Sequence, residues 1–305
     1  MNRDEMEHPD PQTPDSDATI SDPTDESQFR DFARLVPVNQ SACIAFSEVV
    51  ERMKQDPAWA PNAAKFIQSS AMKRSLTELS GSETDTSAAA SDSSRTPRVW
   101  SGYYRFNLDQ PPRQLKYGWI AGYDVNKVDI LLVPRDKAYR VRGAHARFAF
   151  KLQTYAFMII TDPDKGRGRS VLLNGTDEVR NSERVLWASE TGITFGELSY
   201  KLVRTSVSEK ALRDQLSIWR KELNFSSFEP PSYLAPTPSP DDYEYNGYII
   251  KSVFAQGSTC SVAAGIDKNS GAAVAVKKML RTTRNSSMVQ KEIEVSKDIG
   301  SHVSS

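Results

Sequence analysis

The chain has 305 residues, of which 39 are basic and 39 are acidic, and 38% are apolar. The length allows two domains, but the apolar fraction is below that of an ordinary globular domain, so we expect part of the chain to stay unfolded. Two distant cysteines exclude a disulfide framework. There is no signal peptide and no apolar run of roughly 18 residues, which predicts an intracellular protein of the cytoplasm or nucleus with no membrane partner.

Charge is distributed unevenly along the chain. Residues 1–28 contain nine acidic residues and one basic residue, which leaves 30 acidic and 38 basic residues in the remainder. These 28 residues are also rich in Pro, Ser and Thr, and we predict a disordered acidic tail. The mildly basic remainder suits a phosphorylated or acidic protein partner, but its charge is too diffuse to indicate nucleic-acid binding.

Residues 29–80 are predicted to form a short helical segment. Apolar residues recur with helical spacing at 42–53 and begin to do so again at 63–71, and two prolines separate these stretches. We expect a small pair of helices that packs on a neighbour, with docking of a partner protein as the alternative. Residues 81–97 follow as a flexible linker, because Ser, Thr, Asp and Ala dominate them.

A different pattern begins near residue 98. Short β-branched and aromatic runs, parted by turn residues, extend from there to residue 205. They lie at 103–108, 115–121, 129–133, 146–152, 157–161, 171–174, 184–188, 192–195 and 198–203. Short strands at this spacing predict an all-β sandwich over residues 98–205.

Four motifs stand out in this region. They are Ala121-Gly122-Tyr123 with Val128-Asp129-Ile130-Leu131-Leu132, then Gly143-Ala144-His145-Ala146-Arg147-Phe148, Leu173-Asn174-Gly175 and Gly192-Ile193-Thr194-Phe195-Gly196. These motifs resemble those of the forkhead-associated (FHA) domain, a reader of phosphothreonine. The resemblance covers nearly all of residues 98–205 and implies a phosphopeptide-binding module. It also implies that His145 braces the loops beneath the binding face and is neither a metal ligand nor a base.

The residues that would bind phosphothreonine differ from the family pattern. The resemblance places Tyr123, Arg142 and Arg169 where the family has an arginine, a serine and an asparagine. Because arginine forms bidentate hydrogen bonds to phosphate, the pocket is either rebuilt on other arginines or converted to a docking surface. We expect weakened or altered binding. The candidate phosphopeptide-binding residues are Arg142, Arg169, Asn174 and Lys127, and no metal site is expected.

A helix is predicted over residues 206–224, with Ser206 as its N-cap and an apolar stripe along one face. Residues 225–243 contain five prolines and are predicted to form a stiff, extended linker. The linker also offers two acceptor sites for a proline-directed protein kinase. These sites are Thr237-Pro238 and Ser239-Pro240.

Strand and turn signals alternate in residues 244–305. An apolar run at 248–254 leads into Ala255-Gln256-Gly257-Ser258-Thr259-Cys260-Ser261-Val262, and a turn at 267–271 leads into the run Ala272-Ala273-Val274-Ala275-Val276-Lys277. A predicted helix at 288–299 carries Glu292. A glycine lets backbone N–H groups approach phosphate closely, and a lysine held by a carboxylate can meet the α and β phosphates of ATP.

This order and spacing resembles the first part of the small lobe of a Ser/Thr protein kinase. The loop matches G-x-G-x-x-G-x-V with only its central glycine kept, and Val274-Ala275-Val276-Lys277 matches V-A-I-K. The resemblance implies an ATP site made of Ala255, Gly257, Val262, Lys277 and Glu292. We expect weak or absent nucleotide binding, because Ala255 and Cys260 replace glycines of the pattern.

The predicted fold class is multidomain: an all-β FHA-like sandwich plus a partial α+β kinase small lobe at 244–305, with a disordered tail and linkers. The sequence contains no His-Arg-Asp and no Asp-Phe-Gly motif, so no catalytic residue is predicted, and Mg²⁺ is expected only if a full kinase domain exists. Whether the protein is an enzyme stays open. We favour an interaction module joined to an incomplete kinase domain that is inactive as this chain.

The alternative is a fragment of an active ATP-dependent Ser/Thr kinase whose large lobe is missing from the sequence. A nucleotide-binding pseudokinase ranks below both hypotheses, because half of a cleft holds ATP poorly. We also expect the region after Asn246 to be only marginally stable alone, since an incomplete sheet leaves an unpaired edge and an uncovered apolar face.

Overall fold

The structure is a computed structural model that describes residues 31–72, 99–135, 138–162, 170–225 and 229–302. Over these residues the chain is mostly β-sheet with few helices. Its strands form one sheet of seven strands, one of five and one of four. The predicted acidic tail, the predicted linker at 81–97 and Arg169 lie outside the described residues.

The first two sheets and their helices span residues 31 to 204. In chain order the elements are β1 (Asp31–Pro37), α1 (Gln40–Gln55), α2 (Pro61–Ala64), β2 (Ile67–Met72), β3 (Val99–Asn107), β4 (Trp119–Gly122), β5 (Ile130–Leu131), β6 (Ala146–Lys151), β7 (Ala156–Ile160), β8 (Ser170–Leu173), β9 (Asp177–Arg180), β10 (Glu183–Val185), β11 (Glu190–Phe195) and β12 (Leu198–Arg204). The seven-stranded sheet has the order β2-β3-β1-β12-β11-β8-β9, and the five-stranded sheet has the order β10-β7-β6-β4-β5.

These two sheets pack face to face around an aromatic core. The ring of Phe106 in β3 lies 5.5 Å from Trp119 in β4, 4.9 Å from Phe148 in β6 and 5.6 Å from Phe157 in β7, measured between centroids. All four side chains are buried. Alternating inward-facing residues of two sheets that meet in one core are the arrangement of a β-sandwich, and we call residues 31–204 the sandwich.

The prediction of a short helical segment at residues 29–80 is wrong in part. The helix α1 is present, but strands precede and follow the helices, and β1 lies inside the seven-stranded sheet between β3 and β12. Leu35 of β1 opposes Tyr104, which lies two residues from Phe106 in β3, so Leu35 is buried on the core face of the sheet. Phe32 is buried in the same core, because a bulge in the pairing of β1 with β3 shifts the register at this residue. The bulge interrupts the alternation of apolar and polar residues by which a strand is recognised in a sequence. Helix α1 packs on the same face, with its Phe46 ring 5.2 Å from that of Tyr104.

The helix that follows the sandwich is α3 (Glu209–Glu222), and it packs on one end of the aromatic core. The ring of Trp219 lies 5.8 Å from that of Trp119. Ser208 is the N-cap, because its side chain accepts a hydrogen bond from the third residue of the helix. The predicted N-cap at Ser206 is therefore two residues too early.

The remaining elements are β13 (Tyr243–Tyr245), β14 (Tyr248–Gln256), β15 (Cys260–Asp267), β16 (Ala273–Met279) and α4 (Ser286–His302). The four strands pair in sequence order, each antiparallel to the next. Asn246 and Gly247 connect β13 to β14 with φ values of 48° and 80°, the backbone that a two-residue hairpin turn of type I′ requires. We call residues 243–302 the small lobe. No helix among the described ranges has both the length and the apolarity to span a bilayer.

The predicted extended linker at 225–243 is packed against its neighbours. Leu234 is buried in a cluster that includes sandwich and small-lobe residues. Arg213 of α3 donates to the carbonyl oxygens of Ser232 and Leu234 at 2.9 and 2.7 Å. Proline has no backbone N–H, so a proline-rich segment has few internal donors and its carbonyl groups are available to donors such as Arg213. We call residues 229–242 the strap.

The small lobe docks on β7 and β10 of the sandwich. The apolar residues buried between them are Ala156, Met158, Val185, Ile249, Ala264 and Ile266. The hydroxyl of Thr154 donates to the carbonyl oxygen of Gly271 at 2.8 Å, and the backbone N–H of Val185 donates to that of Lys268 at 2.8 Å. Hydrogen bonds and apolar contacts together hold the β15–β16 turn against the sandwich.

Candidate functional site

Three residues of the predicted nucleotide site lie in a row across the small-lobe sheet. Ala255 of β14 opposes Val262 of β15, and Val262 opposes Lys277 of β16. Directly opposed residues of antiparallel strands project from the same face of a sheet. We call the face that carries these three residues the lysine face.

Lys277 forms an ion pair with Glu292 of α4, with Nζ against Oε1. The hydrogen bond to Glu292 raises the pKa of Lys277, so the ammonium form is favoured. The two side chains are 41% and 36% exposed. An ion pair this open to water contributes little to folding, but it fixes the direction of the ammonium group and leaves that group accessible to a ligand.

The turn between β14 and β15 is held by one backbone hydrogen bond, from Gly257 N–H to the carbonyl oxygen of Cys260 at 2.8 Å. A Cβ at Gly257 would lie no closer than 3.6 Å to any other group. Packing within the protein therefore does not require glycine here, whereas the missing side chain leaves the backbone open to a close ligand. The Gly257 backbone and the Lys277 ammonium group are thus both open to a ligand. Ala255 and Cys260 add side-chain atoms on either side of the turn and narrow the space that a ligand could occupy beside Gly257.

Within the described ranges, no three His, Cys, Asp or Glu side chains gather where they could hold a metal ion. The described part of the small lobe thus supplies one lysine and one glutamate for a nucleotide. Side chains that bind Mg²⁺ are expected only if a complete kinase domain exists.

The loops after β4 and before β6 lie side by side at one end of the sandwich. The backbone N–H of Tyr123 donates to the carbonyl oxygen of Arg142, and that of Asp124 donates to Gly143, both at 3.0 Å. A Cβ at Gly122 would lie 2.2 Å from the carbonyl oxygen of Gly143, so only glycine permits this approach. We call residues 122–128 and 139–145 the loop end.

His145 is buried beneath the loop end. Its Nδ1 accepts a hydrogen bond from the backbone N–H of Arg142 at 3.3 Å, and its Nε2 lies 3.0 Å from the carbonyl oxygen of Ser170. Since Nδ1 is an acceptor, Nε2 carries the proton and donates to Ser170. The predicted role of His145 as a brace is confirmed, because the imidazole holds the Arg142 loop against the first residue of β8.

Arg142 and Lys127 both belong to the loop end. The side chain of Arg142 is exposed and makes no ion pair or side-chain hydrogen bond with any part of the chain that the structure describes. Lys127 pairs with Asp124 at 2.9 Å and is 68% exposed. The hydrogen bond from Lys127 is the main cause that lowers the pKa of Asp124. The loop end therefore presents one unpaired guanidinium beside an ion pair open to solvent.

The structure does not bring Asn174 to the loop end. Ser170, which contacts His145, begins β8, whereas Asn174 follows the last residue of that strand. Four steps along a strand amount to about 13 Å. Asn174 has a φ of 49°, and its Oδ1 accepts a hydrogen bond from Gly192 N–H at 2.7 Å. The prediction that groups Asn174 with Arg142 is wrong, because this asparagine closes a turn at the other end of the sandwich.

Sequence reasoning missed a cleft beside the loop end. It has a volume of about 300 Å³, and its lining includes Arg113, Tyr117, Ile120, Lys127, Arg147 and Asp162. The buried carboxylate of Asp129 shapes one wall, since it accepts hydrogen bonds from the backbone N–H groups of Arg113 and Ile120, both at 3.0 Å. Burial raises the pKa of Asp129. The Arg113 guanidinium donates to backbone carbonyls such as that of Val128, at 3.2 Å. Because every residue has a backbone carbonyl group, hydrogen bonds to such groups cannot be predicted from the residue types in a sequence.

The loop end and the small lobe occupy opposite ends of the sandwich. Strand β6 begins beside the loop end at Ala146 and ends at Lys151. The small lobe contacts Thr154, which follows that far end, and Met158 of β7, which lies opposite Ala149. Five steps along β6 amount to about 17 Å. A ligand held at Arg142 would therefore not touch the small lobe directly.

No protein-family model and no curated protein matches the chain. A crystal structure of Rad53 1-466 in complex with AMP-PNP is similar to 62% of this chain, with 20% identity and a TM-score of 0.33. The match covers 41% of the Rad53 chain, so this chain spans less than half the length of that structure. A superposition of this quality establishes neither a shared fold nor a shared function.

Proposed function

We propose that the small lobe is the nucleotide-facing part of a protein-kinase-like domain, fixed to an FHA-like interaction module formed by the sandwich. The observation that carries the proposal is the contact between Lys277 and Glu292. These residues stand on a strand and a helix that are separated by a turn, yet their charged groups meet at the lysine face. A lysine aligned by a helix carboxylate is the arrangement that positions an ammonium group on the α and β phosphates of ATP.

The other residues of the lysine face agree with this role. Ala255 and Val262 offer small apolar surfaces beside Lys277, and the Gly257 turn offers backbone N–H groups without an obstructing side chain. Phosphoryl transfer further requires an aspartate that accepts the substrate proton and groups that hold magnesium. No His-Arg-Asp or Asp-Phe-Gly segment in this sequence supplies them. We therefore assign nucleotide binding, and not catalysis, to these residues. The alternative of an active Ser/Thr kinase needs those groups from additional sequence.

Titration of the full chain with MgATP, followed by backbone amide resonances, tests this assignment. We expect shifts at Gly257, Val262 and Lys277, and we expect Lys277→Met and Glu292→Gln to abolish them. The matched control is Lys278→Met, because Lys278 projects from the opposite face of β16 and lines the cleft under the strap. Absence of shifts in the unmodified chain, or equal shifts in Lys277→Met, would remove the nucleotide assignment.

A second function is favoured by the exposed, unpaired side chain of Arg142. We propose that the loop end binds a phosphorylated or acidic segment of a partner protein, with Arg142 as the anchoring residue and Lys127 beside it. A guanidinium group matches phosphate through two parallel hydrogen bonds. The 300 Å³ cleft next to Lys127 would accept a neighbouring side chain of the same segment.

Phosphothreonine peptides and their unphosphorylated counterparts, titrated onto the full chain, test the second function. We expect the phosphorylated peptides to bind more tightly, and Arg142→Ala to remove the difference. The control is Lys221→Ala, an exposed basic residue in the last turn of α3. Equal affinity for both peptide forms would show that the loop end does not read phosphate.

A further inference from the structure

The strap carries two proline-directed acceptor sites that differ in their hydrogen bonds. Thr237 precedes Pro238, and Ser239 precedes Pro240. Both hydroxyl-bearing residues are half-buried, whereas Pro240 and Asp241 are exposed. The strap thus turns the second site toward solvent while its preceding residues stay packed.

Ser239 begins a turn that contains two acidic residues. Its backbone N–H donates to the Asp242 carboxylate at 3.0 Å, and its carbonyl oxygen accepts from the N–H of Asp242 at 3.1 Å. Its hydroxyl oxygen accepts from the N–H of Asp241 at 3.3 Å. Serine followed by proline is typical of the first two positions of a type I turn. The hydroxyl group therefore lies beside two carboxylate-bearing residues.

Asp242 is also one half of a buried ion pair. Its carboxylate contacts the ammonium group of Lys251 in β14, and the two side chains are 2% and 6% exposed. Lys251 additionally donates to the carbonyl oxygen of Thr237 at 3.4 Å. Removing one partner of a buried ion pair is strongly destabilising, because the other charge stays buried without compensation. We call Ser239, Asp242 and Lys251 the latch.

The latch joins the strap to the strand that leads into the Gly257 turn. Next to it, the ring of Tyr233 in the strap stacks on that of Phe254 in β14 with centroids 4.6 Å apart. Leu234 is buried at the junction of the sandwich and the small lobe. Loss of the latch would therefore free one face of β14 as well as the strap.

We propose that Ser239 is a phosphorylation site for a proline-directed Ser/Thr protein kinase and that the phosphate releases the strap. In that step the Ser239 oxygen forms a bond to the γ-phosphorus of MgATP, the bond between that phosphorus and the ADP oxygen breaks, and the hydroxyl proton passes to the modifying kinase. The proposal does not depend on nucleotide binding by the small lobe. It concerns this chain as the substrate of another kinase.

The release follows from the charges around the turn. A phosphoserine carries a charge of about −1.5 to −2 at neutral pH. Placed on Ser239, it faces the carboxylates of Asp241 and Asp242, and Lys251 is the one ammonium group of the latch. Repulsion moves the phosphate away from Asp242, and competition for Lys251 breaks the buried pair. Either effect opens the turn.

Thr237 provides an internal comparison. Thr237 and Ser239 line the same cleft of about 500 Å³, together with Lys251 and Lys278, but the Thr237 hydroxyl makes no hydrogen bond in the described Asp242 turn. The ammonium group of Lys278 lies over the ring of Tyr243 and pairs with no carboxylate among the described residues. A phosphate on Thr237 would lie outside the turn that Ser239 forms with Asp242, in a cleft that holds both ammonium groups, so the strap should stay in place.

The test uses the full chain, MgATP and a purified proline-directed kinase. Thr237→Ala leaves Ser239 as the acceptor in the strap, and Ser239→Ala leaves Thr237. Hydrogen exchange of the strap and β14 is then measured, with the sandwich core as the reference for folding. We expect phosphorylation of Ser239 to accelerate exchange in the strap by about tenfold or more, and phosphorylation of Thr237 to leave it unchanged or slower.

Two further variants test the latch without phosphorylation. Unphosphorylated Asp242→Asn should reproduce the fast exchange, since it removes the charge that Lys251 requires, and Ser232→Ala in the same strap should not. The proposal is overturned if the kinase modifies a free peptide of residues 232–244 but not Ser239 in the chain. It is equally overturned if phosphorylated Ser239 leaves the strap protected, or if phosphorylated Thr237 releases it as well.

Discussion

The sandwich and the small lobe are stabilised in different ways. The sandwich contains its own aromatic core, in which Phe106 and Trp119 are buried by residues of both sheets. The small lobe buries Ile249, Ala264 and Ile266 in a cluster that it shares with the sandwich. Many of its other apolar side chains are exposed, including Val253, Leu280 and Met288. The small lobe therefore depends on the sandwich and the strap for its position, whereas the sandwich does not depend on the lobe.

The lysine face stays open because the sandwich covers only one end of the small-lobe sheet. Val262, Ala264 and Ile266 alternate along β15 and project from one face of the sheet. The sandwich covers that face at Ile266, and Lys277 stands beside Val262 near the other end. One end of β15, at Ile266, therefore packs on the sandwich, while the other end, at Val262, stays open to a ligand. The two positions are about 13 Å apart.

The largest expected effect comes from the core of the sandwich. Phe106→Ala should lower the free energy of unfolding by about 3–5 kcal/mol, because it leaves a cavity among aromatic rings. We expect the sandwich and the small lobe to unfold together in this variant, in denaturation followed by hydrogen exchange in both regions. A small lobe that kept its protection while the sandwich lost it would break the comparison.

A cavity at the surface where the small lobe docks on the sandwich should destabilise the small lobe alone. Ile266→Ala should destabilise the small lobe by about 2–4 kcal/mol and leave exchange in the sandwich core unchanged. The control is Val253→Ala, which shortens an exposed side chain on the neighbouring strand. Equal loss of protection in the sandwich core would show that the two regions form one cooperative unit.

A smaller effect is expected at the turn that touches the sandwich. Gly271 has a φ of 67°, and a Cβ there would lie 2.7 Å from the sulfur of Met158. Gly271→Ala should cost about 1–2 kcal/mol for the left-handed backbone, plus the steric conflict with Met158. In a double-mutant cycle, Met158→Ala should relieve the conflict but not the backbone strain. Additive effects of the two substitutions would contradict this contact.

The contribution of Asp267, in the same turn, to the stability of the small lobe depends on pH and should be smaller still. Hydrogen bonds from Ser270 and Asn269 lower the pKa of Asp267 in the folded chain. A lowered folded-state pKa adds stability above the unfolded value of about 3.9, and this stability is lost as the pH falls through the folded value. Asp267→Asn should therefore weaken small-lobe protection near neutral pH, and the difference from the unmodified chain should shrink below about pH 4 and vanish once the pH is below the folded pKa of Asp267. A difference that persists in acid would point to geometry and not to charge.

The strands of the sandwich were predictable because short apolar and aromatic runs alternate with turn residues from 98 to 205. Strand β1 was missed, since the bulge at Phe32 interrupts the alternation of apolar and polar residues that marks a strand. The pairing of Lys277 with Glu292 was predicted from the order of strand, turn, strand and helix, and the structure places the two groups in contact.

Other contacts could not be read from the sequence. Nothing in it tells which end of β8 faces Arg142, so Asn174 was placed at the wrong end. The composition of the strap predicts an extended backbone, but the donors that fix its carbonyl groups are single residues, Arg213 and Lys251, from distant elements. Partners of this kind become visible only when the fold brings them together.

Exchange of the two charges on the lysine face tests the central claim most directly. The double variant Lys277→Glu with Glu292→Lys keeps an ion pair between β16 and α4, but it puts a carboxylate where the phosphates of ATP would lie. We predict the unfolding midpoint of the unmodified chain and loss of the MgATP-induced amide shifts at Gly257 and Val262. Unchanged MgATP binding in the exchanged variant would contradict the claim that this ion pair was arranged for a nucleotide.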